Sequence, residues 1–287
     1  MLFYLVCLVC FVSTIALQMP RAQVLAPFQA GNALKIISGL NNFDVSNVKN
    51  VVWAASQGGA SHVDIACDAK LVREARAVCN LPICVSSVKP ADFVAAVEAG
   101  ADMVEIGNYD SFYDQGRTFT AADVVAMTIE TRKVLGATIP LSVTIPHTPP
   151  LSEQVALAMR LEEVGADIIQ TEGKMGVSPA SMGVQEMIEK AAPTLASAFA
   201  LSRAVKIPVM CASGLTDVTC PLALAAGARG VGVGSMVSKL SQPQPMLLAV
   251  LAIAESIGRA APNSQSSSAD VASTAASRVN NVVKQQV

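Results

Sequence analysis

Two kinds of dipeptide recur along this chain and divide it into alternating units. Gly-Ala stands between a helical pattern and a short apolar run at residues 59, 100, 165 and 227. Leu-Pro or Ile-Pro opens further apolar runs at residues 81, 139 and 207. Glycine commonly ends a helix, and strands that alternate with helices form parallel sheets with right-handed crossovers. The spacing therefore predicts repeated strand-helix units.

The pattern gives eight strands, which close naturally into a (β/α)8 barrel within a single domain. They are expected at about residues 33–38, 62–67, 82–86, 102–106, 140–145, 167–172, 207–212 and 230–234. An open, doubly wound sheet is the alternative fold. Such a sheet would carry a dinucleotide fingerprint in its first strand-to-helix turn, and the turn SGLNNFD after the first strand is not one.

The limits of the barrel follow from changes in composition. Residues 1–18 are almost entirely apolar and are typical of a targeting segment, although they lack the basic start of a secretory signal. Residues 19–32 are expected to form an irregular, transit-like linker, and residues 33–258 the barrel. Small polar residues dominate from 259 to 287, which predicts a disordered tail.

Charge and residue content argue against several kinds of partner. The net charge is −2 and aromatic residues make up 4% of the chain, so no basic, aromatic surface for nucleic acid is expected. After the leader no stretch reaches the roughly 18–20 apolar residues of a membrane helix, so the mature protein is not expected to be membrane-embedded. The scattered cysteines of the body contain no CxxC pair, which argues against a Cys/His zinc site.

The stretch 207–235 predicts a phosphate site. It contains two apolar strands separated by a helix, and each strand ends in a glycine-rich turn. Backbone amides and helix N-termini at such turns attract anions, and (β/α)8 barrels frequently bind phosphate after strands seven and eight. The predicted phosphate-binding residues are Ser213, Gly214, Gly232, Gly234 and Ser235. The alternative is that these glycines serve backbone geometry alone.

Alternation along the strands separates an outer aliphatic face from a polar barrel interior. The residues expected in the interior are Lys35, Asp64, Ser86, Glu105, Thr144, Gln170 and Glu172. Thr171 would replace the last two if the register of strand six differed. Aliphatic side chains normally fill a barrel interior, so a polar set indicates a functional site. A structural ion network near the barrel floor is the alternative.

Several of these side chains suit proton transfer or carbonyl chemistry. Lys35 is a candidate Schiff-base nucleophile or proton carrier, provided that its pairing with a carboxylate is incomplete. Asp64, Glu105 and Glu172 are candidate acids and bases. His147 is a candidate acid/base at the rim, or else a loop histidine that caps the next helix. The candidate substrate contacts are Ser86, Asn108, Thr144 and Gln170. No metal is expected, because the carboxylates match no ligand motif.

Several segments carry a resemblance to a known family, among them KIISGLNNFD, LSVTIPHT, GADIIQTEG and IPVMCASGLTDVTCPLALAAGARGVGVGS. They resemble the family called hypothetical chloroplast open reading frame twenty-three, over about residues 35–240. The resemblance implies a phosphate-binding barrel of the ribulose-phosphate-binding and aldolase type in the plastid stroma, with no reaction assigned. The leader departs from a plastid-encoded copy and fits a nuclear gene whose product enters the plastid by the secretory route. Secretion is the alternative.

Three functions are compatible with these residues. The first is an enzyme, a lyase, isomerase or synthase, that acts on a small phosphorylated metabolite. The second is an FMN-binding oxidoreductase-like barrel, since FMN barrels also hold a phosphate after strands seven and eight. The third is a non-catalytic sensor or assembly partner, for which the loop with Tyr109, Phe112, Tyr113 and Asp114 would be a partner surface or, in an enzyme, a substrate lid. A homo-oligomer is compatible with each.

Overall fold

The computed structural model describes residues 18–113, 115–173 and 181–260. The predicted targeting segment and the predicted tail therefore lie almost entirely outside the described residues, as does Asp114. Most of the loop between Gly173 and Gly183 also lies outside them.

Eight parallel strands close into a barrel in which each strand pairs with the next and β1 pairs with β8. The strands are β1 (Ala33–Ile37), β2 (His62–Ala66), β3 (Ile83–Ser87), β4 (Met103–Ile106), β5 (Leu141–Thr144), β6 (Ile168–Gln170), β7 (Val209–Ala212) and β8 (Gly230–Val233). The predicted (β/α)8 fold is confirmed, and most strand ends agree within two residues. Strand β6 is shorter than predicted because pairing ends at Gln170, before the chain turns towards the barrel mouth.

Helices surround the barrel and follow its strands. They are α1 (Arg21–Ala30), α2 (Val45–Gln57), α3 (Ala69–Arg76), α4 (Asp92–Glu98), α5 (Asp110–Tyr113), α6 (Ala121–Leu135), α7 (Leu151–Glu163), α8 (Val184–Ala204), α9 (Cys220–Ala225), α10 (Ser235–Ser238) and α11 (Pro243–Ser256). The Gly-Ala dipeptides act as predicted: Gly100 and Gly227 follow helices with φ of 109° and 107°, a left-handed conformation that favours glycine.

The strands bury aliphatic side chains on their outer face, against the helices. The predicted outer residues all belong to this layer: Leu34, Ile36, Val63, Ile65, Ile83, Val85, Val104, Ile106, Leu141, Val143 and Ile145. Inside the barrel a small apolar layer near the N-terminal end contains Cys84, Met103, Ile168 and Met210. The polar residues therefore occupy only the part of the interior nearer the C-terminal ends of the strands.

The stretch 19–32, predicted to be irregular, contains helix α1, and that part of the prediction is wrong. Val24 and Phe28 of α1 are fully buried against the apolar layer of the barrel interior, so the helix closes the N-terminal end of the barrel. Arg21 forms a salt bridge of 2.5 Å with Asp167. The sequence hides this helix because Pro27 lies within it and its apolar positions show no strong periodicity.

His62 links α1 to the barrel. Its Nε2 lies 2.9 Å from the carbonyl oxygen of Val24, and its Nδ1 lies 2.8 Å from the hydroxyl of Ser61. The side chain is fully buried. Burial lowers the pKa of His62 to about 3, outweighing the hydrogen bond to Val24, which acts in the opposite direction.

We expect His62 to make folding sensitive to acid. Its folded-state pKa lies below its value of about 6.5 in the unfolded chain, so the unfolded state takes up the proton first and stability falls as the pH drops below that value. Between pH 7 and pH 5 the contribution is about 2 kcal/mol. Urea titrations give the free energy of unfolding of wild type and of His62→Gln at pH 7 and at pH 5. The contribution of His62 is the difference between the two proteins in how far that free energy falls between the two pH values. Equal pH dependence in the two proteins would contradict the assignment.

Candidate active site

A cavity of about 260 Å³ opens at the C-terminal ends of the strands. Nine of the predicted site residues line it: Asn108, Thr144, Gln170, Glu172, Ser213, Gly214, Gly232, Gly234 and Ser235. They come from the ends of β4 to β8 and from the loops that follow. The fold thus brings the predicted phosphate turns and several predicted polar residues to one cavity.

Lys35, Asp64, Ser86 and Glu105 do not line the cavity but form a buried network in the barrel interior. The ammonium of Lys35 lies 2.5 Å from Glu105 Oε2 and 3.3 Å from Asp64 Oδ2. The hydroxyl of Ser86 donates to Asp64 Oδ1 over 2.7 Å. The arrangement is the ion network that the sequence analysis kept as an alternative.

Electrostatics hold Lys35 in its charged form. Burial alone would lower the pKa of Lys35, but the negative charges of Asp64 and Glu105 together outweigh it and raise that pKa above its ordinary value. Burial raises the pKa of Asp64 to about 6, against the opposing attraction of Lys35. An amine that is charged, fully buried and separated from the cavity is a poor nucleophile, so the geometry favours the ion network over a Schiff base.

Glu172 lies in the cavity wall, held by three neighbours. The backbone N–H of Asp110 donates to its Oε1 over 3.1 Å, and the hydroxyl of Tyr113 donates to its Oε2 over 2.9 Å. His147 places Nδ1 3.2 Å from the same Oε2. Burial, followed by the charge of Glu172, raises the pKa of Tyr113, so its hydroxyl stays protonated and continues to donate. Glu172 is 5% exposed and has a fixed orientation.

Among the residues that the structure describes, two groups of side chains have donor atoms close enough to hold a metal ion. In one, Asp110, His147 and Glu172 each offer an atom within 4.8 Å of the others at the cavity. In the other, Asp64, Cys84 and Glu105 meet in the barrel interior, where the ammonium of Lys35 already neutralises charge. The residues of the first group come from three separate loops, which explains why no ligand motif was visible in the sequence.

The turn after β7 has a backbone that few side chains tolerate. Ser213 has φ of 81° and Gly214 has φ of 70°. A Cβ at Gly214 would lie 2.5 Å from the carbonyl oxygen of Lys190, so this position requires glycine for packing as well as conformation. The sequence analysis expected a helix to start directly after the turn. That detail is wrong, because a further turn intervenes before α9 begins at Cys220.

The turn after β8 leaves more room. A Cβ at Gly234 would meet its nearest neighbours, atoms of Ile37, at 3.6 Å or more, which is ordinary contact. Helix α10 begins immediately afterwards at Ser235 and has four residues. Lys239 follows it, lines the cavity and forms no salt bridge with the described residues. A cation therefore stands beside the predicted phosphate turns.

Lys239, Asp110 and Ser38 also line the cavity, and none of them was predicted. A signal for Lys239 existed, since it lies four residues after Ser235, about one helical turn further along the chain. Asp110 was hidden in a long loop whose fold could not be read from periodicity. Asp68 caps α3, accepting from the backbone N–H groups of Lys70 and Leu71.

Comparison with known proteins identifies the family. A family model described as a protein of unknown function, DUF561, matches residues 19–263. The chain belongs to the DUF561 family. The uncharacterized protein ycf23 of Cyanophora paradoxa is 47% identical over 215 residues, which are 75% of this chain and 88% of the relative. The protein of the same name in Porphyra purpurea is 35% identical over 236 residues, 82% of this chain and 89% of the relative.

These relatives confirm the resemblance drawn from the sequence, and the shared name ycf23 supports a plastid location. The DUF561 match begins at residue 19, so it includes helix α1, in agreement with the packing of that helix under the barrel. No helix within the described parts of the chain has both the length and the apolar character needed to cross a membrane.

Solved structures confirm the fold of this DUF561 protein. The (S)-3-O-geranylgeranylglyceryl phosphate synthase of Thermoplasma acidophilum, in complex with sn-glycerol-1-phosphate, aligns with a TM-score of 0.56 at 16% identity, over 84% of this chain and 99% of the other. A 3-hexulose-6-phosphate synthase aligns with a TM-score of 0.56 at 12% identity, over 78% and 99%. At these identities the likeness concerns the barrel alone.

Proposed function

We propose that this protein is an enzyme that binds a small phosphorylated metabolite and transfers protons with Glu172. The observation that carries the proposal is the cavity itself. It joins two glycine turns, and a lysine that has no salt-bridge partner in the described part of the chain, to a carboxylate of fixed orientation. A site of this composition can anchor a phosphate at one end of a substrate and act on the carbon chain at the other.

The phosphate end consists of Ser213, Gly214, Gly234, Ser235 and Lys239. The two glycines leave the backbone accessible, Ser235 supplies a hydroxyl donor, and Lys239 supplies a positive charge. The hydroxyl of Ser213 donates to the carbonyl oxygen of Gly173 over 3.3 Å, so Ser213 contributes through its backbone. Gly232 contributes by lacking a side chain, which keeps the floor of the cavity open beside Gln170. Each feature stabilises a dianionic group without any metal.

At the reacting end, Glu172 is the proposed general base, with Tyr113 and His147 fixing its orientation. A carboxylate next to the carbon chain can remove a proton beside a carbonyl group, which is the shared first step of many isomerases and lyases. His147, whose Nδ1 lies 3.2 Å from Glu172 Oε2, is the group proposed to return a proton. The buried network of Lys35, Asp64 and Glu105 lies below the cavity and fixes the side chains that line it.

The solved neighbours agree with this substrate class. Three of them are named for phosphorylated compounds: a geranylgeranylglyceryl phosphate synthase, a hexulose-phosphate synthase and a thiamine phosphate pyrophosphorylase from Pyrococcus furiosus with a TM-score of 0.53. The cavity volume of about 260 Å³ lies below the roughly 300–1,000 Å³ typical of pockets for drug-sized ligands. It suits a short phosphorylated chain better than FMN.

The loop proposed as a partner surface packs inward in the structure. Tyr109 is fully buried, and the rings of Tyr109 and Phe112 lie 4.6 Å and 5.5 Å from the ring of Phe119. Tyr113 donates to Glu172. These contacts favour a role for the loop in the site, and therefore the enzyme over the sensor.

The phosphate end is tested with two substitutions at one position. Gly234→Asp places a carboxylate beside the anion with only ordinary contacts at its Cβ, and Gly234→Ala, which has the same Cβ, is its matched control. In calorimetric titrations with inorganic phosphate we expect Gly234→Asp to weaken binding at least tenfold through charge repulsion. The alanine variant should stay within about threefold of wild type, since its methyl group makes only ordinary contacts. Equal affinity for all three proteins would contradict the proposed anchor.

We also propose that the protein works in the plastid stroma. We propose from the sequence alone that a nuclear gene encodes the protein and that residues 1–18 act as a leader for its import. Sequencing the N-terminus of the mature protein tests it, and a mature chain that retains residues 1–18 would contradict it.

A further inference from the structure

We infer that the substrate is a hydroxylated phosphate ester whose hydroxyl group donates a hydrogen bond to Gln170 Oε1. The inference rests on the proposed function and specifies its substrate class. Gln170 lies at the end of β6, is 2% exposed and lines the cavity. Its Oε1 is buried and accepts no hydrogen bond from the described residues.

The buried network fixes which way the amide of Gln170 faces. Its Nε2 donates to Glu105 Oε1 over 2.7 Å and to the hydroxyl of Thr144 over 3.1 Å. Glu105 also carries the salt bridge to Lys35 and, as a carboxylate, can only accept. Turning the amide over would set two acceptor oxygens against each other. Both amide hydrogens of Gln170 are therefore donated to Glu105 and Thr144, and Oε1 remains available to accept from a ligand.

The space beside this oxygen is kept open by glycine. A Cβ at Gly232 would lie 3.6 Å from Gln170 Oε1, and also 3.0 Å from Ala212 Cβ and 3.1 Å from Ile37 Cδ1. A side chain here would crowd the floor and cover the acceptor. With glycine, no side chain at position 232 stands between this oxygen and a ligand anchored by its phosphate at the neighbouring turn after β8.

A buried acceptor without a donor discriminates strongly between ligands. An analogue that lacks the hydroxyl group leaves the oxygen desolvated and unpaired, whereas the hydroxylated ligand pairs it. Lys35, Asp64 and Glu105 thus act as positioning residues, because their charges set the orientation of Gln170. Gln170 itself is the residue that selects the substrate.

Paired phosphate esters test the inference. Glycerol phosphate is compared with propyl phosphate, and ribulose 5-phosphate with pentyl phosphate, by calorimetric titration of the full-length protein. For wild type we expect the hydroxylated member of at least one pair to bind at least tenfold more tightly. In Gln170→Met, which has a similar volume and no acceptor oxygen, that preference should shrink to less than threefold, with inorganic phosphate affinity unchanged.

The outcomes separate this inference from the proposed function. If inorganic phosphate fails to bind to wild type, the phosphate anchor itself is wrong and the inference falls with it. If phosphate binds but wild type prefers neither hydroxylated ester, the inference alone is overturned. A stronger preference for 3-aminopropyl phosphate than for glycerol phosphate would also overturn it, because the donor would then be a cation. The comparison of the paired esters on the wild-type protein remains a test of the inference even if Gln170→Met does not fold.

Discussion

Replacing Lys35 by methionine should destabilise the protein by about 3–5 kcal/mol, the usual cost of removing one partner from a buried ion pair. Lys35 is the cation that the structure places between Asp64 and Glu105, and all three side chains are almost completely buried. Methionine fills a similar volume but leaves two carboxylates close together in a medium of low polarity. Urea unfolding at pH 7 measures the loss.

Two further variants show that the loss comes from the charge. Lys49→Met removes the salt bridge to Glu74, in which both side chains are more than a third exposed, and should cost less than about 1 kcal/mol. The triple variant Lys35→Met/Asp64→Asn/Glu105→Gln removes all three charges and should recover part of the stability. If Lys35→Met cost no more than Lys49→Met, the buried network would not be the charged one described above.

Replacing Glu172 by glutamine should reduce catalysis by about 10²–10⁴-fold, the usual contribution of a positioned general base. Glutamine keeps the shape of the side chain and can still accept from Tyr113, but it cannot take up a proton. The measurement is exchange of the proton beside the carbonyl group of ribulose 5-phosphate with deuterium from the solvent, followed by NMR. Phosphate affinity should be unchanged, because the anchor lies at other residues.

Glu163→Gln serves as the control, since Glu163 is exposed on α7 and, among the residues that the structure describes, pairs with Arg160 alone. It should exchange the proton at the wild-type rate. If Glu172→Gln exchanged the proton at the wild-type rate, Glu172 would not be the general base. A wild-type protein that binds ribulose 5-phosphate but exchanges no proton would favour the non-catalytic sensor.

The barrel was predictable because it depends on short-range patterns. Glycines such as Gly100 and Gly227 end helices through a local conformation, and alternation along each strand sends Leu34 and Ile36 outward and Lys35 inward. These local patterns can be recognised in a single sequence.

The depth of each polar residue could not be predicted from the sequence. Lys35, Asp64 and Glu105 alternate along their strands just as Thr144 and Gln170 do, but register places the first three below the cavity and the last two in its lining. Packing likewise decided whether Gln170 and Glu172, or instead Thr171, face the barrel interior. Thr171 faces outward, where its hydroxyl lies 2.5 Å from that of Thr194 on α8.

Residues in loops were the hardest to place. Glu172 receives its neighbours Asp110, Tyr113 and His147 from two other loops, an arrangement with no counterpart in sequence spacing. Helix α1 escaped notice because its stability comes from burial of Val24 and Phe28 under the barrel and not from its own periodicity. Tertiary contacts decided each of these cases.

The central claim is that the turns after β7 and β8 hold the phosphate of a substrate. A crystal structure of the protein grown with ribulose 5-phosphate tests it most directly. The account predicts the phosphate group within hydrogen-bond distance of Ser213, Gly214, Gly234 and Ser235, with the carbon chain directed towards Gln170 and Glu172. A phosphate group bound elsewhere on the molecule, with these turns not in contact with it, would contradict the claim.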